Sequence, residues 1–260
     1  MKYALTQVHF VVYLATMLLS HVYLTRGVHA CAISMGWALF GLSSIGHDCL
    51  HYSFHPSKRV NTIVAFLCLD CLAISSTTWH RIHNQIHHTE LKGPRDVMHL
   101  HGAGMASELV HVVTGLARAS NDASIRTYAY RMPFLLMLSQ YHALSIVAIW
   151  VMWFGCIGYL TYITHSYSSP SDNRDRNAVA YKLLNSWDVL PRSYMANLLS
   201  GGINTHATHH VFQHLTRYEC MQQCDRLRVY PEYRRIESWI GVYRLYRNRA
   251  WSCPVPPTLH

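Results

Sequence analysis

His47, His51, His83, His87, His88, His206, His209 and His210 fall in three short clusters, each placed just beyond an apolar stretch of the chain. A neutral imidazole gives one nitrogen to a metal while a hydrogen bond steers the other, and it suits iron, zinc and copper. Metal chemistry is therefore the first reading of these residues. His47 and His51 are four apart in Gly46-His-Asp-Cys-Leu-His51, so on a helix both rings leave one face. Asp48 cannot share that face and is expected behind a ring, as the acceptor that fixes an imidazole tautomer. In His80-Arg-Ile-His83-Asn-Gln-Ile-His87-His88 the same spacing pairs His83 with His87, and an α-helix turns His88 about 100° away. His80, three residues earlier, is a weaker candidate outside the tight pattern. The third cluster, His206-Ala-Thr-His209-His210, offers His206 with His209 or His210 on one face and a diverging neighbour. One stretch can thus address two ions.

The donor set narrows the metal. Structural zinc takes four ligands and catalytic zinc three, so this set is too large for one tetrahedral ion, and no His-Glu-x-x-His helix is present. The 20 histidines outnumber the 13 acidic residues, which disfavours a site built mainly on carboxylates. Two ions in nitrogen-rich surroundings of higher coordination fit better, and dioxygen chemistry on non-haem iron is their natural use inside an apolar enclosure. A bland reading, histidines satisfied by ordinary hydrogen bonds, suffices for His9, His21, His29, His142 and His260. It fails for the three clusters, because each buried polar group without a partner costs roughly 2–7 kcal/mol.

The elements that must carry these clusters read as membrane helices. Of the 260 residues half are hydrophobic and only 13% are charged, against about 25% in soluble domains. Tyr3 to Leu24 and Val28 to Gly46 are apolar runs separated by Thr25-Arg26-Gly27, each approaching the roughly 20 residues that cross a bilayer. They predict a helical hairpin. A cleaved signal peptide fits the first run less well, since Lys2 is a thin basic region and His9 interrupts the core. The run Val60 to Trp79 contains Asp70. If it crossed, the first two clusters would face opposite sides, so it is expected in the interface or halfway in. Met132 to Thr164 reads as a second hairpin turning near Gln140 to Leu144, with arms of about 16 to 18 residues, short for a bilayer. The expected fold is all-α, one domain over 1–260, with four transmembrane helices in two hairpins under a cytoplasmic histidine-rich cap. Its location is then a multi-pass place in the endoplasmic reticulum membrane of a eukaryote or the inner membrane of a bacterium.

The net charge of +9 could serve nucleic acid or an anionic membrane, and its distribution favours membrane: with these spans only Arg26 of the basic residues lies on the far side. No nucleic-acid partner is expected. The polar stretches Glu90 to Arg131 and Ser166 to Arg192 read as cytoplasmic connections, and Asp225 to Arg249, with arginines among aromatic residues, as a helix on the membrane surface. Eight scattered cysteines form no disulfide framework, and the pairs Cys68/Cys71 and Cys220/Cys224 are expected to pack rather than react.

These motifs together resemble the integral-membrane fatty-acid desaturase and hydroxylase superfamily. Its three histidine boxes are matched in order by His47-Asp-Cys-Leu-His51, His83-Asn-Gln-Ile-His87-His88-Thr89 and His206-Ala-Thr-His209-His210. Trp79 before the second box and Gly201-Gly202-Ile203-Asn204 before the third resemble the acyl-lipid and acyl-CoA desaturase branch, over about Gly41 to Arg228. The resemblance implies two iron ions and dioxygen as co-substrate, with His165 in Thr161-Tyr-Ile-Thr-His165 completing the ligand set, Thr161 as a water-mediated contact, and Asn84 and Asn204 as supporting residues. It implies no catalytic side chain apart from the ligands. A cis double bond would be placed in an acyl chain, with electrons from a b-type cytochrome or a ferredoxin and its reductase, since no haem or flavin domain is fused. Departures from the pattern are His206 where front-end desaturases carry Gln, and His88-Thr89-Glu90-Leu91 after the second box.

Two alternatives stand beside this reading. A hydroxylase or ketolase of the same superfamily, acting on an acyl chain or carotenoid, differs in leaving an oxygen atom in the product. A non-catalytic metal-binding membrane protein, such as a transporter, would place its ligands in broken helices at the bilayer midplane, whereas these boxes lie at span ends.

Overall fold

The first helix, α1 (Ala4–Thr25), buries Thr6, His9, Tyr13 and Ser20 and exposes Val8, Val11, Leu18 and Leu19. Its polar residues face the protein and its apolar ones face out, the inverse of a helix at a water-facing surface. The chain turns at Arg26–Ala30 and returns as α2 (Cys31–Leu50), packed along α1. The computed structural model describes residues 2–72, 74–91, 95–96, 125–165 and 179–244.

The second hairpin joins α5 (Ile125–Leu138) to α6 (Ala143–Thr164) through a turn inside the expected window, where His142 Nδ1 accepts the Leu144 N–H at 3.3 Å. The second arm, 22 residues, is longer than the 16 to 18 expected of each, because the capping His142 starts it directly after the turn; the first is described from Ile125 to Leu138. α6 packs on the side of α2 away from solvent, so α2 lies between neighbours and is buried over most of its length. Trp153 of α6 donates to Ser43 Oγ of α2 at 3.0 Å, which satisfies two polar groups inside an apolar contact.

Among the described residues two helices, Ala4–Thr25 and Ala143–Thr161, are long and apolar enough to cross a membrane. α2 has the length but carries Ser43, Ser44, His47 and Asp48. The structure is mostly helical, with two spans recognisable by length and composition.

Val60 to Trp79 does not form one helix. α3 (Lys58–Ala65) widens into a π-helical turn at Phe66–Asp70, the chain bends, and α4 (Ser76–Trp79) runs into a longer π-helical segment, His80–His87. Asp70 Oδ1 accepts the Ser76 N–H at 3.2 Å across the bend, and Ser75 Oγ caps α4 by accepting from Thr78 N–H at 3.3 Å.

The remaining cap is built from short pieces: α7 (Val179–Asn185), β1 (Trp187–Val189), α8 (Tyr194–Leu199), α9 (His206–Val211), α10 (Arg217–Gln223), a 3₁₀ turn (Cys224–Val229) and β2 (Arg234–Ile236). The mostly helical fold is consistent with the all-α expectation, with one short parallel pair added: β1 and β2, Trp187 with Arg234 through Val189 with Ile236. One expectation is corrected here: Asp225 to Arg249 is not one surface helix, since Arg228 and Arg235 converge on Asp225 at 3.2 and 3.0 Å, and buried Ile236 packs against Trp187 and Ile163. The residues beyond 244 lie outside the described part. Among the described residues the cysteines are free and mostly buried, as packing predicts.

Candidate metal centre

Nine histidines meet where the ends of α2 and α6 face the cap, and they sort into two groups. His47, His51, His83, His88 and His209 form one; His87, His165, His206 and His210 form the other; within each, one ligand atom per residue lies within 4.8 Å of every other. Every histidine that the sequence and the resemblance single out is in one of them. His80 is exposed and in neither.

Local helix geometry decides the sorting. His47 and His51 share the end of α2, one α-turn apart, and their ring centroids are 4.7 Å apart. In the second box the expected pairing of His83 with His87 is overturned: His83 sits with His88, and His87 points to the other group. The segment is π-helical, and the His88 N–H bonds to the His83 carbonyl at 3.0 Å. In such a turn residues five apart, not four, return to one side. In the third box α9 is α-helical, so His206 and His210 stay together and His209 diverges into the first group. His165 caps the end of α6, with Thr161 one turn earlier lining the same cavity.

Second partners orient the rings. His47 Nδ1 donates to Asp48 Oδ1 at 3.1 Å, His87 Nδ1 is 3.0 Å from both oxygens of Asp96, and His165 Nδ1 donates to the Asn185 carbonyl at 3.2 Å. Each bond consumes the Nδ1 proton and leaves the Nε2 lone pair facing inward. Asn84 anchors the end of α2 through the Leu50 carbonyl at 3.1 Å and stands 3.5 Å from His51 Nδ1. Asn204 touches no imidazole. It ties the loop before the third box to Leu190, donating to that carbonyl at 3.1 Å, and accepts from Asn197 at 2.8 Å.

Three supports have no signature among the histidine boxes. Asp96 follows the second box at no regular spacing. Asp188 is buried and accepts from Thr208 N–H at 3.1 Å, Thr208 Oγ1 at 2.5 Å and Tyr233 OH at 2.7 Å, which seats the helix bearing His209 and His210. Burial pushes its carboxyl up to about 6 in spite of those bonds. Arg217, also buried, donates to Asp48 Oδ2 at 2.6 Å. Its location had one legible cue, Thr216-x-x-Glu219, which forms a capping box around the start of α10.

The donor set fits metal. His51, His87 and His209 present buried Nε2 atoms without a hydrogen-bond partner. His83 Nε2 lies 2.9 Å from His47 Nε2 and 3.0 Å from His88 Nε2, and His206 Nε2 lies 2.8 Å from His165 Nε2 and 3.0 Å from His210 Nε2. One proton cannot satisfy both contacts of a shared nitrogen. Nitrogens on one ion at about 2.1 Å and at right angles are about 3.0 Å apart, which matches these separations. Burial, then the neighbouring imidazoles, holds His83, His88, His206 and His210 well below the usual histidine range, and burial first pushes His209 down to about 3. The rings are therefore neutral, the form that ligates.

Beside the rings a cavity of about 870 Å³ is lined by Phe40, Leu69, Ile74, Trp79, Ile157 and Ile203, and reaches His47, His83, His87, His165, His206 and His209. It is mostly apolar with its nitrogen donors at one region. No curated protein matches the chain at a meaningful level of similarity. The family model for fatty acid desaturase matches residues 25–239, a range that begins at the end of α1 and holds all nine histidines, α2, α5 and α6. The chain belongs to the fatty acid desaturase family.

Proposed function

We propose that this protein is a membrane fatty-acid desaturase that inserts a cis double bond into an acyl chain of a lipid or a coenzyme A thioester. The observation that carries the reading is the mostly apolar cavity running up to two adjoining groups of histidines. In this account residues 1–260 form one domain, and the two groups are the ligand sets of two irons: His47, His51, His83, His88 and His209 for one, His87, His165, His206 and His210 for the other. The irons, when bound, supply the reductive activation of dioxygen that an unactivated C–C bond requires. The reaction takes two hydrogens from the chain and two electrons and two protons from outside, and returns two waters for each dioxygen.

The protein's own task is placement. Phe40, Leu69, Ile74 and Ile157 hold an apolar chain and exclude water, and Trp79, stacked on His83 with centroids 5.2 Å apart, closes the wall beside the first group. Asp48, Asp96 and the Asn185 carbonyl hold three rings by their Nδ1 protons, so the donor geometry is fixed before any ligand arrives. Thr161 offers a hydroxyl to the same cavity.

The outward apolar faces of α1 and α6 support a multi-pass place in the membrane. The four-span arrangement with a cytoplasmic cap follows if α2 and α5 cross beside them, shielded by their neighbours. Electrons then arrive at the cap from a b-type cytochrome or a ferredoxin.

The test is gas chromatography with mass spectrometry of total fatty acids from yeast expressing the chain, beside His209→Ala. A new unsaturated acid in the wild type alone is expected. A hydroxylated acid would reassign the reaction, and an unchanged profile in cells containing the folded, iron-loaded protein would contradict it.

A further inference from the structure

Arg217 is an arginine with 4% of its surface exposed, placed at the metal end of the fold. Its Nε donates to Asp48 Oδ2 at 2.6 Å, its Nη2 to Ser44 Oγ at 2.8 Å and its Nη1 to His9 Nδ1 at 3.2 Å. The other Asp48 oxygen accepts from His47 Nδ1. A single chain of contacts therefore runs from α1 through Arg217 and Asp48 to a ring of the first group. The guanidinium is held there deliberately by its surroundings: it starts α10, whose capping box is completed by Glu219, and Lys2 pairs with Glu219 at 3.0 Å. The glycines before the third box make the space. A Cβ on Gly202 would stand 2.8 Å from Arg217 Nε and one on Gly201 2.6 Å from Ser44 Oγ, and both residues have positive φ, +85° and +61°.

A carboxylate behind a ligating imidazole orients it and raises its donor strength. Unpaired, the same carboxylate adds a full negative charge beside the ion in a medium that screens poorly. The two effects are separable only if something cancels the charge and leaves the hydrogen bond. Arg217 is placed to do that, because it takes the oxygen that His47 does not use. We propose that Arg217 is a positioning residue for the first metal group, neutralising Asp48 so that Asp48 orients His47 without stabilising the oxidised ion. The inference rests on the reading that this group binds iron.

The experiment measures iron content and the reduction midpoint potential of the purified protein in detergent. Arg217→Gln is expected to lower the potential, because an uncompensated Asp48 favours the more positive, oxidised ion. Asp48→Asn should raise it, and the double variant should return toward wild type. Arg217→Lys, which keeps the charge, should stay nearer to wild type than Arg217→Gln does. A structural role alone would not give opposite shifts that cancel. Unmoved potentials in iron-loaded Arg217→Gln and Asp48→Asn, or shifts of the same sign, would overturn the proposal and leave the iron reading intact. Should Arg217→Gln not fold, the upward shift of Asp48→Asn and its reduction in the double variant decide the matter, and no shift in either refutes it. A wild type that binds no iron refutes both the proposal and the reading beneath it.

Discussion

The histidines are placed for metal chemistry because they are crowded into two groups, and burial keeps His83, His88, His206, His209 and His210 neutral. A ring that must stay unprotonated in the folded state makes stability depend on pH, with a sign that follows from the direction of the shift. The unfolded rings take up protons below about pH 6.5, whereas the folded ones, lowered by burial, do so only at lower pH, about 3 for His209. Above about pH 6.5 neither state binds, and stability is flat. As pH falls from there toward the lowered native values the unfolded state binds more protons and the folded state loses ground. Asp188, pushed up to about 6, acts in the opposite sense, favouring the fold when protonated, but it is one carboxyl against His83, His88, His206, His209 and His210. The metal-free protein is therefore predicted to melt at a lower temperature at pH 5 than at pH 7.5; an equal or higher melting point at pH 5 would contradict it. The identities of these residues were legible in the sequence because ligand spacing is local. Asp96 and Arg217 were not, because their partners are brought to them by folding.

At the scale of elements, the second box shows where local reasoning stops. An α-helical template pairs His83 with His87, but the π-helical segment pairs His83 with His88 and sends His87 to the other group. No residue in His80–His87 announces the wider turn; it is imposed by what the segment packs against, and it lets one stretch serve both groups. The third box obeys the α template, yet its seat depends on Asp188 and on the glycine pair before it. Both have a left-handed φ, and at Gly202, with φ +85°, a side chain would press on Arg217. A Cβ in that conformation costs roughly 1–2 kcal/mol before any clash. Gly202→Ala is predicted to lower the free energy of unfolding by at least that amount and to weaken iron retention; a stability equal to wild type would show the loop to be more accommodating than the structure indicates. The two short strands escaped the sequence reading because three-residue strands among arginines leave no alternation long enough to register.

For the whole molecule, the hairpins present apolar residues outward and polar ones inward, and hold two sets of rings where they meet the cap. The first hairpin and the turn of the second were legible from hydropathy and from the need to bring three boxes to one side. The length of the second arm was not, since hydropathy located the turn but not the cap at His142 that starts α6 directly after it. What hydropathy cannot report is that α2, between α1 and α6, is shielded enough to carry Ser43, Ser44, His47 and Asp48 along an otherwise apolar helix. That shielding joins the fold to its proposed activity, because a polar ligand set can then stand at the edge of a mostly apolar cavity.

The central claim is that both groups hold iron, and metal analysis of the purified protein by plasma mass spectrometry tests it most directly. Two irons per chain are predicted for wild type and for His142→Ala, whose ring lies at the far turn, and fewer than two for His209→Ala and His206→Ala, one from each group. Zinc in place of iron, one ion or none in the wild type, or two irons retained in both box variants would contradict the account.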